Sequence, residues 1–150
     1  MKNIFQNFFY DKEIANIDVD SKDLTKKHAE IIKKKKLLRS AYETFYKQMS
    51  NICDNNFQVD GLEIELGSGV GFFKSVRKNV LTSDIRDGVV CDMSLDATNM
   101  NIKNNTVRCF FAINVFHHIS YPTKFFDELK RVLKINGGCI LIEPHNGFMS

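Results

Sequence analysis

The chain has 150 residues, of which 43% are hydrophobic and 26% are charged. These values are typical of one globular domain and exclude a disordered chain. A net charge of +3 is too small to predict nucleic-acid binding by itself. The positive excess lies in residues 1–40, which hold 10 basic and 6 acidic side chains.

The cysteines and the apolar segments indicate a cellular location. Four widely spaced cysteines with no C-x-x-C pair favour buried free thiols over disulfides or a zinc site, so we expect no metal. They are Cys53, Cys91, Cys109 and Cys139. No apolar stretch approaches the roughly 20 residues of a membrane span, and the amino terminus lacks the features of a signal peptide. We therefore expect a cytoplasmic protein.

The first third of the chain is predicted to be helical. Residues 23–52 contain no Gly or Pro, and their apolar side chains recur at three- and four-residue spacings. Asp54-Asn55-Asn56 is expected to end this helix. We therefore divide the chain into an amino-terminal helical segment, 1–52, and a second region, 53–150.

The second region alternates strands with helices. Its strands are predicted at 61–66, 80–84, 89–92, 108–114 and 139–143, and its helices at 71–78 and 122–134. Glycine readily adopts the left-handed conformation of a helix C-cap, so Asn136-Gly137-Gly138 is expected to end the second helix. This alternation predicts an α/β fold with a parallel sheet and right-handed crossovers.

A glycine-rich turn follows the first predicted strand in the segment LEIELGSGVGF, residues 62–72. Glycines are needed where a ligand lies against the backbone, and the carboxyl end of the first strand is where open α/β sheets bind ligands. A dinucleotide fingerprint would need glycine where Phe72 stands, and the sequence contains no phosphate-binding P-loop. The turn therefore predicts a different nucleoside ligand.

Three acidic residues lie near the carboxyl ends of the first three predicted strands. Glu65 stands two positions before Gly67, and Asp84 ends the second strand, where a carboxylate can accept both hydroxyls of a ribose. Asp96 follows the third strand, within reach of an adenine amine. Together they describe a site for an adenosine without phosphates. The alternatives are a solvated charge for Glu65, a turn residue for Asp84 and a helix N-cap for Asp96.

From about residue 61 to 144 the sequence resembles the class I S-adenosylmethionine-dependent methyltransferases, in particular the type 11-like domain. The matching segments are LEIELGSGVGF, TSD at 82–84, DMSLDATNM at 92–100, FFAINVFHHI at 110–119 and FFDELKRVLKINGGCILIEP at 125–144. The resemblance implies a Rossmann-like sheet of order 3-2-1-4-5 that lacks strands six and seven. It also implies S-adenosyl-L-methionine as cofactor, with residues 1–52 capping the cofactor pocket.

The resemblance implies roles on the methionine side of the cofactor for five residues. Gly67, Ser68 and Gly69 would pass close to the methionine portion and the ribose. Glu65 would hold the methionine ammonium, directly or through water. Asn114, at the end of the fourth strand, would line the pocket with its backbone.

The resemblance also implies a nucleoside side. Asp84 would bind the ribose hydroxyls, and Ile85 would pack on the adenine. Asp96 and Ala97 would recognise the adenine edge.

Methyl transfer from a sulfonium is an in-line displacement, so the protein mainly aligns the reactants and excludes water. A general base helps only when the acceptor has a high pKa. His117 and His118, after the fourth strand, and His145, after the fifth, are the candidates. Side chains alternate along extended backbone, so only one of the adjacent pair is expected to point inward. The alternative is that these histidines are structural.

The residues after the fourth strand also bear on the methyl acceptor. DNA amino-methyltransferases carry Asn/Asp-Pro-Pro-aromatic there, whereas this chain reads Asn-Val-Phe-His at 114–117, so we expect no DNA substrate. We predict a methyltransferase acting on a small molecule, lipid or saccharide precursor. The alternatives are a non-catalytic or truncated cofactor-binding module and, disfavoured by Phe72, an NAD-dependent oxidoreductase. The open edge of strand five predicts a fragment, a truncated product or an oligomer that covers that edge.

Overall fold

The computed structural model describes residues 34–69, 72–86 and 89–144. The predicted site residue His145 lies outside the described residues, as does much of the helix predicted over 23–52. Two α-helices and five strands are described: α1 Lys36–Asn56, β1 Leu62–Leu66, β2 Leu81–Asp84, β3 Met93–Ser94, β4 Val107–Ile113, α2 Pro122–Val132 and β5 Leu133–Ile142. Short 3-10 turns span Phe72–Ser75 and Phe116–His118.

The five described strands form one sheet in the order β3-β2-β1-β4-β5. Every neighbouring pair is parallel. This confirms the predicted α/β class and strand order. Because parallel strands all point the same way, their carboxyl ends meet at one edge of the sheet, where the predicted site residues lie.

The sheet is covered on both faces. On one face α2 buries Phe125, Leu129 and Val132 in a cluster with Ile64 and Phe110. Adjacent side chains of β4 point to opposite faces, so Phe111 belongs to the other cluster. Both phenylalanines have no exposed surface, as the apolar run predicted for a strand buried on two sides.

Helix α1 packs on that second face through Tyr46, Met49 and Cys53. The Tyr46 ring stacks on Phe73 with 4.3 Å between centroids, and Phe73 meets Phe111 edge-on at 5.0 Å. The helix runs to Asn56, so the prediction that residues 54–56 break it is wrong by a few residues. Its last turn is held by neighbours in the fold, which override the weak helix propensity of Asp and Asn.

Asp54 in that last turn joins an ion-pair network at the amino-terminal end of the sheet. The guanidinium of Arg77 lies 2.7 Å from Asp54 and 2.5 Å from Glu63, and Arg108 bonds the same two carboxylates. Hydrogen bonds from Arg77 outweigh burial and lower the pKa of Glu63. The network fastens α1, β1 and β4 to one another.

The helix predicted over 71–78 is instead the 3-10 turn Phe72–Ser75. Phe73 is fully buried against Tyr46 and Phe111. Four residues later Arg77 is drawn to Glu63 and Asp54. These tertiary contacts leave the turn too short for an α-helix.

The third strand is Met93–Ser94 and not the predicted 89–92. The Asp92 carboxylate accepts hydrogen bonds from the backbone N–H of Thr82 at 2.7 Å and from its hydroxyl at 2.9 Å. The side chain of Asp92 thus fills a place at the edge of β2 that a strand backbone would take, and ladder pairing begins only at Met93, opposite Ser83.

The boundary between α2 and β5 also differs from the prediction. The helix ends at Val132, because Leu133 is extended and pairs with Val107 of β4. The left-handed residue is Asn136, at φ 65°, not a glycine. Gly138 serves close packing, since a Cβ there would clash with the Phe57 ring.

Neither described helix is long and apolar enough to cross a membrane.

Candidate cofactor-binding site

The turn after β1 is built by Gly67 and Gly69, both left-handed, at φ 60° and 54°. Ser68 ties the turn to β2. Its N–H donates to the Ser83 carbonyl at 2.8 Å, and its hydroxyl accepts the Ser83 N–H at 3.0 Å and donates to the Glu65 carbonyl at 3.1 Å. Because the Ser68 side chain is buried in these bonds, Ser68 can face a ligand only through its backbone.

Asp84 ends β2 and is buried, with 2% of its surface exposed. Its Oδ2 accepts the Gly69 N–H at 3.1 Å and Nη2 of Arg86 at 2.9 Å. Its Oδ1 accepts the N–H and Nε of Arg86, each at 3.0 Å. Burial raises the pKa of Asp84, but the bonds from Arg86 and Gly69 prevail and lower it. The four acceptor positions of this carboxylate are thus filled, two of them by the Arg86 guanidinium.

The predicted adenine-side residues lie at the ends of β2 and β3. Ile85 directly follows Asp84 and is 62% exposed, so its side chain is available to a ligand. Asp96 closes a turn by accepting the N–H of Thr98 at 2.7 Å and its hydroxyl at 2.8 Å, both on Oδ1. No helix follows, so the N-cap alternative is wrong. Ala97 packs against the α2-side core.

Glu65 is buried at the carboxyl end of β1, with 3% of its surface exposed. Among the described residues its Oε2 has no hydrogen-bond partner. Burial raises its pKa to about 7, although the hydroxyls of Ser68 and Tyr46 lower it. Its charge in turn raises the pKa of Tyr42 and Tyr46, beyond the effect of burial. The alternative of a solvated charge is therefore wrong.

Asn114 follows β4 in a left-handed conformation, at φ 57°, and its N–H donates to the Ile142 carbonyl at 2.8 Å. A left-handed asparagine after a strand redirects the chain. Val115, the next residue, packs beneath the glycine turn: a Cβ on Gly67 would lie 2.6 Å from its Cγ2. The loops after β1 and β4 are thereby fitted to each other.

The candidate bases lie on the 3-10 turn Phe116–His118, and both imidazoles are exposed, with 4.0 Å between ring centroids. The backbone is not extended there, so the expectation that only one of them points inward rests on the wrong geometry.

Glu143, which follows β5, is a residue that the sequence reasoning missed. Its Oε2 lies 2.6 Å from Nδ1 of His117, and its Oε1 accepts the N–H groups of Val115 at 2.9 Å and Phe116 at 2.7 Å. The available signal was a carboxylate directly after a strand that neighbours β4.

One group of candidate metal ligands occurs among the described residues, formed by Cys53, Asp54 and Glu63. It lies within the ion-pair network, where Arg77 and Arg108 already neutralise both carboxylates. Two guanidinium groups at these distances leave no electrostatic need for a cation, so the group does not form a metal centre.

The carboxyl ends of three adjacent strands therefore bring together Glu65, Asp84, Asn114 and the glycine turn. The buried Oε2 of Glu65, which no described residue bonds, fits a cationic ammonium. The backbone of the turn leaves room for a ligand, because of the described residues a Cβ on Gly69 would meet only Arg86, at 3.9 Å. Asp84 fits a ribose diol once the Arg86 guanidinium gives up its two positions. These residues fit S-adenosylmethionine.

Comparisons with known proteins agree with this geometry. The family model described as a methyltransferase domain matches residues 64–141. A comparison with curated protein sequences finds no match.

Solved structures with this fold include three from different organisms. A protein of Methanococcus maripaludis assigned as an S-adenosylmethionine-dependent methyltransferase is 19% identical, with a TM-score of 0.61, covering 84% of this chain and 65% of its own. An S-adenosylmethionine-dependent methyltransferase of Thermotoga maritima, considered for histamine N-methylation, is 16% identical, with a TM-score of 0.53. The match covers 72% of this chain and 63% of that protein. A protein of Galdieria sulphuraria assigned to sarcosine dimethylglycine methylation is 17% identical, with a TM-score of 0.54. The match covers 69% of this chain and 47% of that protein.

This chain thus spans less than two thirds of the length of these proteins. The likeness shows the fold, and the family match extends over more than half of the chain. The protein belongs to the methyltransferase domain family, with the sheet of the class I S-adenosylmethionine-dependent methyltransferases, and this family and fold imply S-adenosylmethionine as its cofactor.

Proposed function

We propose that the protein transfers the methyl group of S-adenosylmethionine directly, in line, to a small molecule, a lipid or a saccharide precursor. The observation that carries the proposal is the pair of buried carboxylates flanking the glycine turn. Oε2 of Glu65 has no hydrogen-bond partner within residues 34–69, 72–86 and 89–144, and Asp84 lies at the end of the neighbouring strand. One carboxylate of such a pair would bind the ammonium of the cofactor, and the other would bind its ribose diol.

The proposed contacts divide the cofactor between two strands. Glu65 takes the ammonium, and the backbone of Gly67 to Gly69 lies along the methionine portion and the ribose. Asn114 lines the methionine side with its backbone. The cofactor supplies an activated methyl group when bound, so the residues of this chain bind, orient and exclude water.

The nucleoside would lie beyond the second strand. Asp84 accepts the ribose hydroxyls, Ile85 covers a face of the adenine, and Asp96 and Ala97 meet its edge. Thr98 bonds only Oδ1 of Asp96, and no other described residue donates a hydrogen bond to its Oδ2. That oxygen remains an acceptor for the exocyclic amine.

The amino-terminal helical segment is proposed to cap the methionine side of the pocket. Helix α1 carries Tyr42 and Tyr46, and burial, followed by the charge of Glu65, raises the pKa of both hydroxyls. The same helix would therefore border the proposed ammonium site. We also propose that the protein acts in the cytoplasm.

Binding of S-adenosylhomocysteine, measured by isothermal titration calorimetry, tests the cofactor site. We expect the parent protein to bind, and Asp84→Asn to bind roughly 10- to 100-fold more weakly, since hydrogen bonds to a charged group contribute about 1.5–3 kcal/mol. Asp127→Asn, an exposed site on α2, is the matched control and should bind like the parent. An equal affinity of the two variants would remove Asp84 from the site, and a parent that binds NAD instead would refute the proposal.

A further inference from the structure

Glu143 connects the ends of β4 and β5, and its two carboxylate oxygens bond different groups. Oε1 accepts the backbone N–H groups of Val115 and Phe116, which fixes the loop after β4. Oε2 is left for His117, at 2.6 Å from Nδ1. A loop clamp alone would need only the first oxygen.

The chemistry of the pair decides which nitrogen of His117 carries the proton. Burial raises the pKa of Glu143, but hydrogen bonds from His117 and the two backbone N–H groups prevail and lower it. An ionised carboxylate only accepts hydrogen bonds, so Nδ1 must be the protonated nitrogen. In the neutral imidazole Nε2 is then left with a lone pair.

This geometry lies beside the proposed methionine pocket. His117 is three residues beyond Asn114, and its side chain is 44% exposed, so part of its imidazole is open to solvent near the carboxyl edge of the sheet. A histidine oriented by a carboxylate through Nδ1 is the arrangement used for general bases.

We propose, on the basis of the function proposed above, that Glu143 is a positioning residue that holds His117 with Nε2 ready to take a proton from the methyl acceptor. The acceptor's oxygen or nitrogen bonds to the methyl carbon, while the bond from that carbon to sulfur breaks and leaves its electron pair on sulfur. The acceptor's proton moves to Nε2. The resulting imidazolium is stabilised by Glu143, which keeps its charge.

The tautomer of His117 tests this proposal without a known methyl acceptor. The full chain is labelled with ¹⁵N-histidine, the His117 signals are assigned with His117→Asn, and spectra are recorded at about pH 8.5, where an imidazole is neutral. We expect the parent protein to hold mainly the Nδ1–H form. In Glu143→Gln, Oε1 can still accept the backbone N–H groups while the amide donates to Nδ1, so the tautomer ratio should change at least tenfold towards Nε2–H.

Glu128→Gln is the matched control, because Glu128 also accepts a backbone N–H, from Met100, and pairs with a basic side chain, Arg131. It should leave the His117 signals unchanged. An Nε2–H tautomer in the parent, or an unchanged ratio in Glu143→Gln, would overturn the proposal. Titration of the same samples with S-adenosylhomocysteine distinguishes failure of the cofactor proposal from failure of the His117 proposal. A parent protein that does not bind S-adenosylhomocysteine refutes the cofactor proposal, and the tautomer of His117 can still be determined.

Discussion

The buried carboxyl of Glu65 should destabilise the cofactor-free protein at neutral and alkaline pH. Only 3% of its surface is exposed, and Oε2 has no hydrogen-bond partner among the described residues. Burial raises its pKa from the ordinary 4.5 to about 7 against the hydroxyls of Ser68 and Tyr46. At about 1.4 kcal/mol per pKa unit, the ionised form destabilises the fold by roughly 3 kcal/mol.

The sign follows from which state binds the proton more tightly. The folded chain keeps the proton up to about pH 7, whereas the unfolded chain loses it near its ordinary value. Stability contributed by this group is therefore highest below the ordinary pKa. It falls as the pH rises through that window and stays low above about 7.

Glu65→Gln removes the ionisation and keeps the size of the side chain. We expect its free energy of unfolding, measured by chemical denaturation, to gain roughly 3 kcal/mol on the parent as the pH rises from about 4.5 to 8.5. Asp127→Asn should show no such trend. A difference between Glu65→Gln and the parent that stays constant with pH would refute the reasoning, because it would mean that Glu65 is not held protonated in the fold.

Two further predictions concern the loop and its neighbour. Gly67→Ala should lower the free energy of unfolding more than Gly69→Ala. Both variants need a left-handed alanine, which costs roughly 1–2 kcal/mol, but only the first places a Cβ 2.6 Å from Val115. Equal unfolding free energies of the two variants would contradict this. Arg86→Ala should tighten the binding of S-adenosylhomocysteine by up to about tenfold, because it frees two acceptor positions on Asp84. Weaker binding of this variant in calorimetry would contradict the idea that Arg86 and the ribose compete for Asp84.

Strands β1, β2 and β4 were predictable because their signals are local. The run that becomes β4 is apolar apart from Arg108, and both Phe110 and Phe111 are fully buried, on opposite faces. The glycines at 67 and 69 mark a turn whose left-handed conformations a glycine adopts without strain. The strand order followed from the resemblance to a family, since local patterns do not specify which strands pair.

The failed boundaries all depend on partners distant in sequence. Residues 71–78 cannot reveal that Arg77 will meet Glu63 and Asp54, and these contacts end the turn early. Asp92 displaces the third strand by bonding Thr82, ten residues away. Likewise Glu143 lies 26 residues from His117, so only the adjacency of β4 and β5 brings the pair together.

The two buried carboxylates of the site differ in their hydrogen-bond partners, and their pKa values are shifted in opposite directions. Asp84 is satisfied within the chain by Arg86 and Gly69, and its pKa is lowered. Oε2 of Glu65 has no partner in the part of the chain that the structure describes, and the pKa of Glu65 is raised. A ribose bound at Asp84, as proposed, would therefore compete with an internal cation, whereas an ammonium at Glu65 would relieve an existing instability. The free energy that favours cofactor binding should accordingly come more from the methionine end than from the nucleoside end.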